Sequence, residues 1–246
     1  MTKTYANPPI AEAVCEFRLA PDTKWDLTIP GLVYEKVSSE FPHKEQRIMQ
    51  SLTTKRAESG LEQEVRLEER VVFLTNDRRA FIQVGPGLLA IHVLKPYPTW
   101  NGFKPRIETA FRTLTSIMQV KGFERIGLRY VNRIAIPELH MNLEDYFDFY
   151  PFLGPSLPQE LASFVAGAQV IFENGRDACK FQLINAVPEK TEKVAFVLDF
   201  DYYLAKPSAV SSEGALAWVE TAHHRIQELF EGCVKDRLRK VFVEVK

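Results

Sequence analysis

A charged face follows one predicted strand near the middle of the chain. Residues 126–136 alternate with a period of two, so Arg129 and Arg133 share one face, and the other face is apolar except for Asn132. A guanidinium group presents a planar set of donors that suits carboxylates and phosphates. This face therefore predicts either ion pairs or a site for an anion.

A second predicted strand, over residues 11–19, carries the complementary charges. Glu12 and Glu16 share one of its faces, and the opposite face is apolar. We predict that the two strands are neighbours and that the two acidic residues pair with Arg129 and Arg133. Each such cross-strand pair contributes a few tenths to about 1 kcal/mol. Ordinary ion pairs on a solvated sheet face and a ligand or partner site both fit this pattern.

Two aromatic residues lie in a proline-rich segment just before a predicted helix. Tyr97 and Trp100 fall within residues 96–102, which the pattern predicts to be a loop, and Pro105 is predicted to begin the helix. The two rings either pack over the end of the sheet or form a recognition loop.

Other residues carry weaker chemical signals. Asp199 and Asp201 face the same way on a predicted strand, as solvated, salt-bridged, metal-binding or catalytic carboxylates would. His223 falls on the apolar stripe of a helix, which favours a core or interface histidine over a metal ligand. The letters GPGLLA at 85–90 match a dinucleotide fingerprint, but the proline and the alternation after it predict a hairpin. We predict no metal site and no cofactor, and no residue can be assigned a catalytic role.

Composition limits the class of protein. The 246 residues are 46% hydrophobic and 26% charged, which is typical of a globular protein. A net charge of −1 argues against a nucleic-acid binder, although Arg78, Arg79 and the basic residues after 234 leave a local patch open. Neither a signal peptide nor a membrane-spanning run is present, so the sequence predicts a cytoplasmic protein without a membrane association.

The order of the predicted elements indicates an α+β fold. We expect a mostly antiparallel sheet with helices packed on one face and a long C-terminal helix from Gly214 to Phe242. A loosely patterned segment places a boundary near Gly154, with a β-rich half over 1–154 and a three-stranded sheet plus helix over 155–246, packed together. This order is compatible with two similar halves.

Four stretches carry a resemblance to a known family. They are NPPIAEAVCEFR at 7–18, YPTWNGF at 97–103, GLRYVNRIAIP at 127–137, and LDFDYYL with AHHRIQELFEGCVKDRLRKVF within 198–242. Together they make the chain similar to a sporadically distributed family of uncharacterised bacterial proteins of about this length. The resemblance brings no established activity. Sporadic distribution implies an accessory role, such as a toxin–antitoxin or phage-defence component.

Three functions follow as hypotheses. The first is a binding protein that docks on a partner protein, as an antitoxin, immunity or phage-defence subunit does; the lack of a catalytic motif favours it over an enzyme. The second is a small anionic-ligand binder or enzyme, in which Arg129 and Arg133 grip the anion and Glu12, Glu16 or Asn132 orients it. The third, which the net charge disfavours, is a nucleic-acid binder. The sequence leaves homo-oligomerisation open.

Overall fold

One large antiparallel sheet organises the chain. The computed structural model describes residues 4–57, 60–138, 141–189 and 194–245. Its strands are β1 (Thr4–Tyr5), β2 (Ile10–Leu19), β3 (His43–Ala57), β4 (Gly60–Leu74), β5 (Ala80–Gly85), β6 (Leu88–Leu94), β7 (Phe123–Ile136), β8 (Val165–Phe172), β9 (Asp177–Ala186), β10 (Val194–Leu204) and β11 (Glu244–Val245). Nine of these form a sheet in the order β3-β4-β5-β6-β2-β7-β10-β9-β8, with each neighbouring pair antiparallel.

The helices cover one face of this sheet. They are α1 (Ile29–Val37), α2 (Thr99–Ile117), α3 (Ala215–Cys233) and α4 (Asp236–Phe242). Buried side chains from all four helices join the inward side chains of the strands in one hydrophobic core. The other face, which we call the open face, carries the charged side chains of β2 and β7. The predicted α+β fold, with helices packed on one face of an antiparallel sheet, is confirmed.

The two strands singled out in the sequence are central neighbours. β2 and β7 pair antiparallel, with Val14 opposite Arg129 and Glu16 opposite Gly127. The inward side chains of β2, such as Cys15 and Phe17, are fully buried. Alternation of apolar and polar residues therefore sets which face of each strand meets the helices.

The topology has two similar halves. β2 leads through α1 to the meander β3 to β6, which returns to pair with β2 and continues into α2. β7 leads through residues 141–164 to the meander β8 to β10, which returns to pair with β7 and continues into α3. The halves meet where β2 pairs with β7, and β7 pairs on its other side with β10, so strands from before and after residue 154 share one sheet.

The predicted start of α2 is wrong. The helix begins at Thr99, and Pro105 lies inside it. This early first turn brings the backbone of residue 102 close to Pro98. Glycine fits there, because a Cβ at position 102 would lie only 2.9 Å from the Cβ of Pro98. Pro105 has no N–H, so the carbonyl of Asn101 loses its helical hydrogen bond. Trp100 consequently lies on the first turn of a helix rather than in a loop.

The predicted long C-terminal helix is also interrupted. α3 ends at Cys233, Val234 has extended dihedral angles, and α4 begins at Asp236. Val234 forms an isolated antiparallel bridge with Phe147, and the N–H of Lys235 donates to the carbonyl of Tyr146 (2.8 Å). These tertiary hydrogen bonds replace helical ones and break the apolar stripe into two helices.

Residues 4–10 form a strap across one end of the core, which we call the N-terminal strap. β1 pairs with β11, and the N–H groups of Ala6 and Asn7 donate to the carbonyls of Val243 and Phe242. At its other end the carbonyl of Pro9 accepts from the N–H of Arg133 (2.8 Å). The rigid Asn-Pro-Pro segment is thereby held against the sheet. Among the described residues, no helix combines the length and apolarity that crossing a bilayer requires.

Candidate functional site

The seven residues singled out in the sequence fall into two groups on opposite sides of the sheet. Tyr97, Trp100 and Asn132 line a cleft on the helical side. Glu12, Glu16, Arg129 and Arg133 belong to the open face. The predicted combination of Asn132 with the two arginines around one anion is therefore wrong, because side chains at adjacent positions of a strand point to opposite faces.

The cleft lies between the N-terminal strap, the first turn of α2, β7 and α3, and we call it the aromatic cleft. Its volume is about 350 Å³, which falls in the range of small-molecule sites. Most of its wall is aromatic or apolar, with a few polar groups. The lining residues are Tyr5, Pro8, Pro9, Ile10, Tyr97, Thr99, Trp100, Asn101, Tyr130, Asn132, His223, Ile226, Gln227, Phe230 and Glu231.

Three polar groups in the wall form a hydrogen-bonded relay. The hydroxyl groups of Tyr97 and Tyr130 lie 3.1 Å apart, and the hydroxyl of Tyr130 lies 3.0 Å from Nδ1 of His223. Tyr130 projects from β7 and His223 from α3, so the relay joins the sheet to the helix. The other ring nitrogen of His223, Nε2, makes no hydrogen bond with the described residues. It is the free end of the relay.

Trp100 fixes the histidine ring in place. The two rings stack with centroids 4.0 Å apart and an angle of 9° between their planes. The indole N–H of Trp100 points to the carboxylate of Glu220 (3.2 and 3.3 Å), which also pairs with Lys104 (2.8 Å). The stack therefore joins α2 to α3, and it depends on the early start of α2.

The relay is electrically neutral around pH 7. Burial lowers the pKa of His223 to about 4, so its imidazole carries no charge. Burial also raises the pKa of Tyr97 and of Tyr130 above its usual value, so both hydroxyl groups keep their protons. The wall thus offers neutral donors and acceptors.

The far end of the cleft holds a carboxylate that is already compensated. Glu231 accepts a hydrogen bond from the hydroxyl of Tyr5 (2.7 Å) and pairs with Arg239 (3.0 Å). Between the two ends, buried Asn132 donates to the carbonyl of Leu198 (3.0 Å). The described part of the cleft therefore presents hydrogen-bonding groups without an uncompensated charge.

On the open face, the strands are neighbours as predicted, but the ion-pair partners differ from the prediction. Arg129 binds Asp199 through two hydrogen bonds, from Nε (2.9 Å) and Nη2 (2.6 Å). Arg133 donates to Glu189 and to the carbonyl of Val187. The strand β10 supplies Asp199 and approaches β7 from the side opposite β2, which is why reading two strands alone missed it.

The two acidic residues of β2 have other partners. Glu12 lies 2.9 Å from Nδ1 of His92, and this hydrogen bond lowers the pKa of the carboxyl. Glu16 pairs with Arg18 (2.8 Å) and Arg125 (3.1 Å). Arg125 also pairs with Asp201. Asp199 and Asp201 thus each form a salt bridge with an arginine of β7, which is one of the interpretations that the sequence left open.

Reading the sequence missed the residues that link the candidates. Tyr130 lies on the strand face that the sequence predicts to be apolar, and His223 lies on a helix stripe about ninety positions later, with no signal that the two meet. Tyr5 and Glu231 carried no signal at all. Within the described ranges, no group of three or more His, Cys, Asp and Glu residues is arranged to hold a metal ion.

No protein-family model matches the chain, and no curated protein matches it at a significant level. These comparisons therefore bring no function to the chain.

Proposed function

We propose that the protein binds a small, planar, uncharged molecule in the aromatic cleft. One observation carries the proposal: a cleft of about 350 Å³ is walled by aromatic rings and contains a neutral hydrogen-bonded relay. Small-molecule sites are typically concave and mostly apolar, with a few placed polar groups that fix orientation. The aromatic cleft has each of these properties.

The charges of the cleft indicate the class of ligand. His223 is neutral at physiological pH, and Glu231 is paired with Arg239. A charged ligand would enter without a counter-ion and would lose hydration that the wall does not replace. A neutral ring system would lose little hydration and would stack against Trp100, Tyr97 or Phe230.

Two further features support a binding role. Thr99, which lines the cleft, has φ of 66°, a left-handed conformation that costs a β-branched residue about 1–3 kcal/mol. Strain of this kind is concentrated at ligand sites. In addition, all four stretches that carry the family resemblance contribute to the wall, through Pro9, Trp100, Asn132 and His223 among others.

The two charge-based alternatives gain less support. An anion at Arg129 or Arg133 would compete with carboxylates that already bind both arginines. Several of the basic residues considered for nucleic acid are likewise paired: Arg78 with Glu45, and Arg237 with Glu138 and Asp145.

The experiment that tests the proposal is a screen of uncharged heteroaromatic compounds, with and without a blocked cleft. Binding is measured by protein-detected NMR, using the indole N–H of Trp100 as the reporter. We expect saturable binding that is lost in Gln227→Trp, which fills the cleft from α3. It is retained in Thr221→Trp, which places the same ring at an exposed position of the same helix. Binding that survives Gln227→Trp, or no binding by any compound in the screen, would contradict the proposal.

A second candidate function is docking to a partner protein, as an antitoxin, immunity or phage-defence subunit does. The strand β8 favours this function, because it lies at an edge of the sheet. In the described part of the chain, no strand pairs with its outer side. The strand contains neither charge nor proline, and Val165 and Ile171 are 73% and 67% exposed. Charged residues and prolines usually protect an edge strand from pairing with another chain, and β8 lacks both. The occupant we propose is an extended apolar segment of the partner, added as one more strand.

Lysine substitutions on this edge test the docking proposal. We expect Val165→Lys and Ile171→Lys each to abolish association with a protein that co-purifies stoichiometrically with the wild type. Leu27→Lys, at an exposed position 90% accessible to solvent, is the control and retains the partner. A partner that stays bound to both edge variants would show that it docks elsewhere.

A further inference from the structure

The relay links the hydrogen-bonding character of its two ends. Neutral imidazole has one N–H, so Nδ1 and Nε2 of His223 are always opposite, one a donor and the other an acceptor. A hydroxyl group that donates its single proton to one neighbour can only accept from the other. Since Tyr130 lies between His223 and Tyr97, the state of one end determines the state of the other.

Two arrangements keep both hydrogen bonds of Tyr130 and give its proton an acceptor. Both end residues, His223 and Tyr97, line the cleft. In the first arrangement, Tyr130 donates to Nδ1, Tyr97 donates to Tyr130, Nε2–H is a donor, and the Tyr97 oxygen is an acceptor. In the second, Nδ1–H donates to Tyr130, Tyr130 donates to Tyr97, Nε2 is an acceptor, and the Tyr97 hydroxyl is a donor. Any other arrangement breaks a relay bond or leaves the buried hydroxyl proton of Tyr130 without an acceptor, which is costly.

We propose that the aromatic cleft selects ligands that present one hydrogen-bond donor and one acceptor together, as the N–H and C=O of an unsubstituted lactam ring do. This inference rests on the proposed function and specifies its ligand class. Either orientation of the lactam is accepted, because the relay reverses by moving its protons. A ligand with two acceptors or two donors leaves one relay end unsatisfied. A lone wall histidine or tyrosine would not discriminate in this way.

Two bicyclic compounds of matched size separate the alternatives. Quinolin-2(1H)-one carries an adjacent N–H and C=O, and phthalazine carries two adjacent acceptor nitrogens. We expect the wild type to bind quinolin-2(1H)-one about tenfold more tightly, because phthalazine leaves a buried group unpaired. Dissociation constants are measured for both compounds by NMR titration.

Breaking the relay should remove this preference. In Tyr130→Phe the histidine tautomer and the Tyr97 hydroxyl become independent, and both can donate to phthalazine. We expect the ratio of the two dissociation constants to fall to within about twofold of unity. Tyr97→Phe removes one end of the relay and predicts the same loss, should Tyr130→Phe fail to fold. Tyr203→Phe is the matched control on the open face, where its ring lies against Arg125, and keeps the wild-type ratio.

The outcomes separate this inference from the proposed function. Equal binding of both compounds by the wild type, in a cleft that Gln227→Trp blocks, overturns the relay rule and leaves the small-molecule proposal standing. A preference that persists in both relay variants also overturns the rule. If neither compound binds while another does so in a Gln227-dependent manner, the lactam class is wrong. If no compound binds the cleft, both proposals fail.

Discussion

The effect of Arg129→Ala on stability distinguishes an arginine that stabilises the fold from one that is available to bind a ligand. Asp199 is only 7% exposed, whereas Arg129 is 51% exposed. Removing the guanidinium leaves a buried carboxylate without its partner. Hydrogen bonds to charged groups contribute about 1.5–3 kcal/mol, and breaking a buried ion pair costs about 3–5 kcal/mol. Because half of Arg129 is solvated, water replaces part of the loss, and we expect Arg129→Ala to cost about 2 kcal/mol.

The measurement is urea unfolding followed by circular dichroism, with the slope of the transition checked for constancy. For a chain of this size the predicted loss lowers the melting temperature by about 4–8 °C. Asp199→Asn, which removes the charge and keeps the shape, should cost less. The double variant should cost less than the sum of the two single losses, by about 1 kcal/mol, because it leaves no unpaired charge. Arg112→Ala on the exposed side of α2 is the control and should change stability by less than about 0.5 kcal/mol.

The opposite result has a clear meaning. If Arg129→Ala is as stable as the wild type and the double variant shows no coupling, the bidentate pair contributes nothing to the fold. Arg129 would then be available to an anion, and the open-face ligand site predicted from the sequence would regain its support.

Three further predictions concern the helical side of the sheet. Asp177→Ala should destabilise the protein by about 3 kcal/mol or more in urea unfolding, because its fully buried carboxylate accepts from the indole of Trp218 (2.9 Å) and pairs with an arginine. His223→Gln should reduce the loss of stability on acidification. In the wild type, His223 takes up a proton in the unfolded chain but stays neutral in the folded chain, because its folded pKa is about 4. The wild type should therefore lose about 1.5 kcal/mol more stability than the variant between pH 6.5 and pH 5. Equal pH dependence in both proteins would contradict the buried neutral imidazole. Tyr5→Phe should cost about 1 kcal/mol through the lost hydrogen bond to Glu231, and unchanged stability would show that the strap is held by its backbone alone.

Local patterns were sufficient to predict most of the fold. Alternation in β2 and β7 identified the two faces of each strand, because each face has its own solvent environment, and the opposite charges of the two strands predicted that they are neighbours. The helix boundaries were less predictable. Pro105 is typical of a first helical turn, but the contact between Gly102 and Pro98 lets the helix start six residues earlier. Val234 continues an apolar stripe, yet its bridge to Phe147 ends the helix there.

The candidate site was predictable only in part, because it depends on contacts between distant segments. Tyr97 and Trp100 were chosen as a pair and Asn132 was chosen separately, and the structure brings the three together. The pairing of Arg129 with Asp199 depends on β10 lying beside β7, which no local pattern shows. The relay depends on α3 packing against β7, which brings His223 to the hydroxyl of Tyr130. Periodicity indicates that His223 is buried, but it contains no information about which hydroxyl group its ring meets.

The N-terminal strap has a consequence for the order in which the molecule folds. Tyr5 and Glu231, which close one wall of the aromatic cleft, are separated by 226 positions along the chain. Contacts of such separation close large loops and form late, because their entropic cost is met only after nearer contacts are in place. We therefore expect the sheet and its helices to acquire native spectra before the cleft can hold a ligand. The ability to bind a ligand would then be the last native property to return on refolding. It would also be the first to be lost when the N-terminal strap separates from α3.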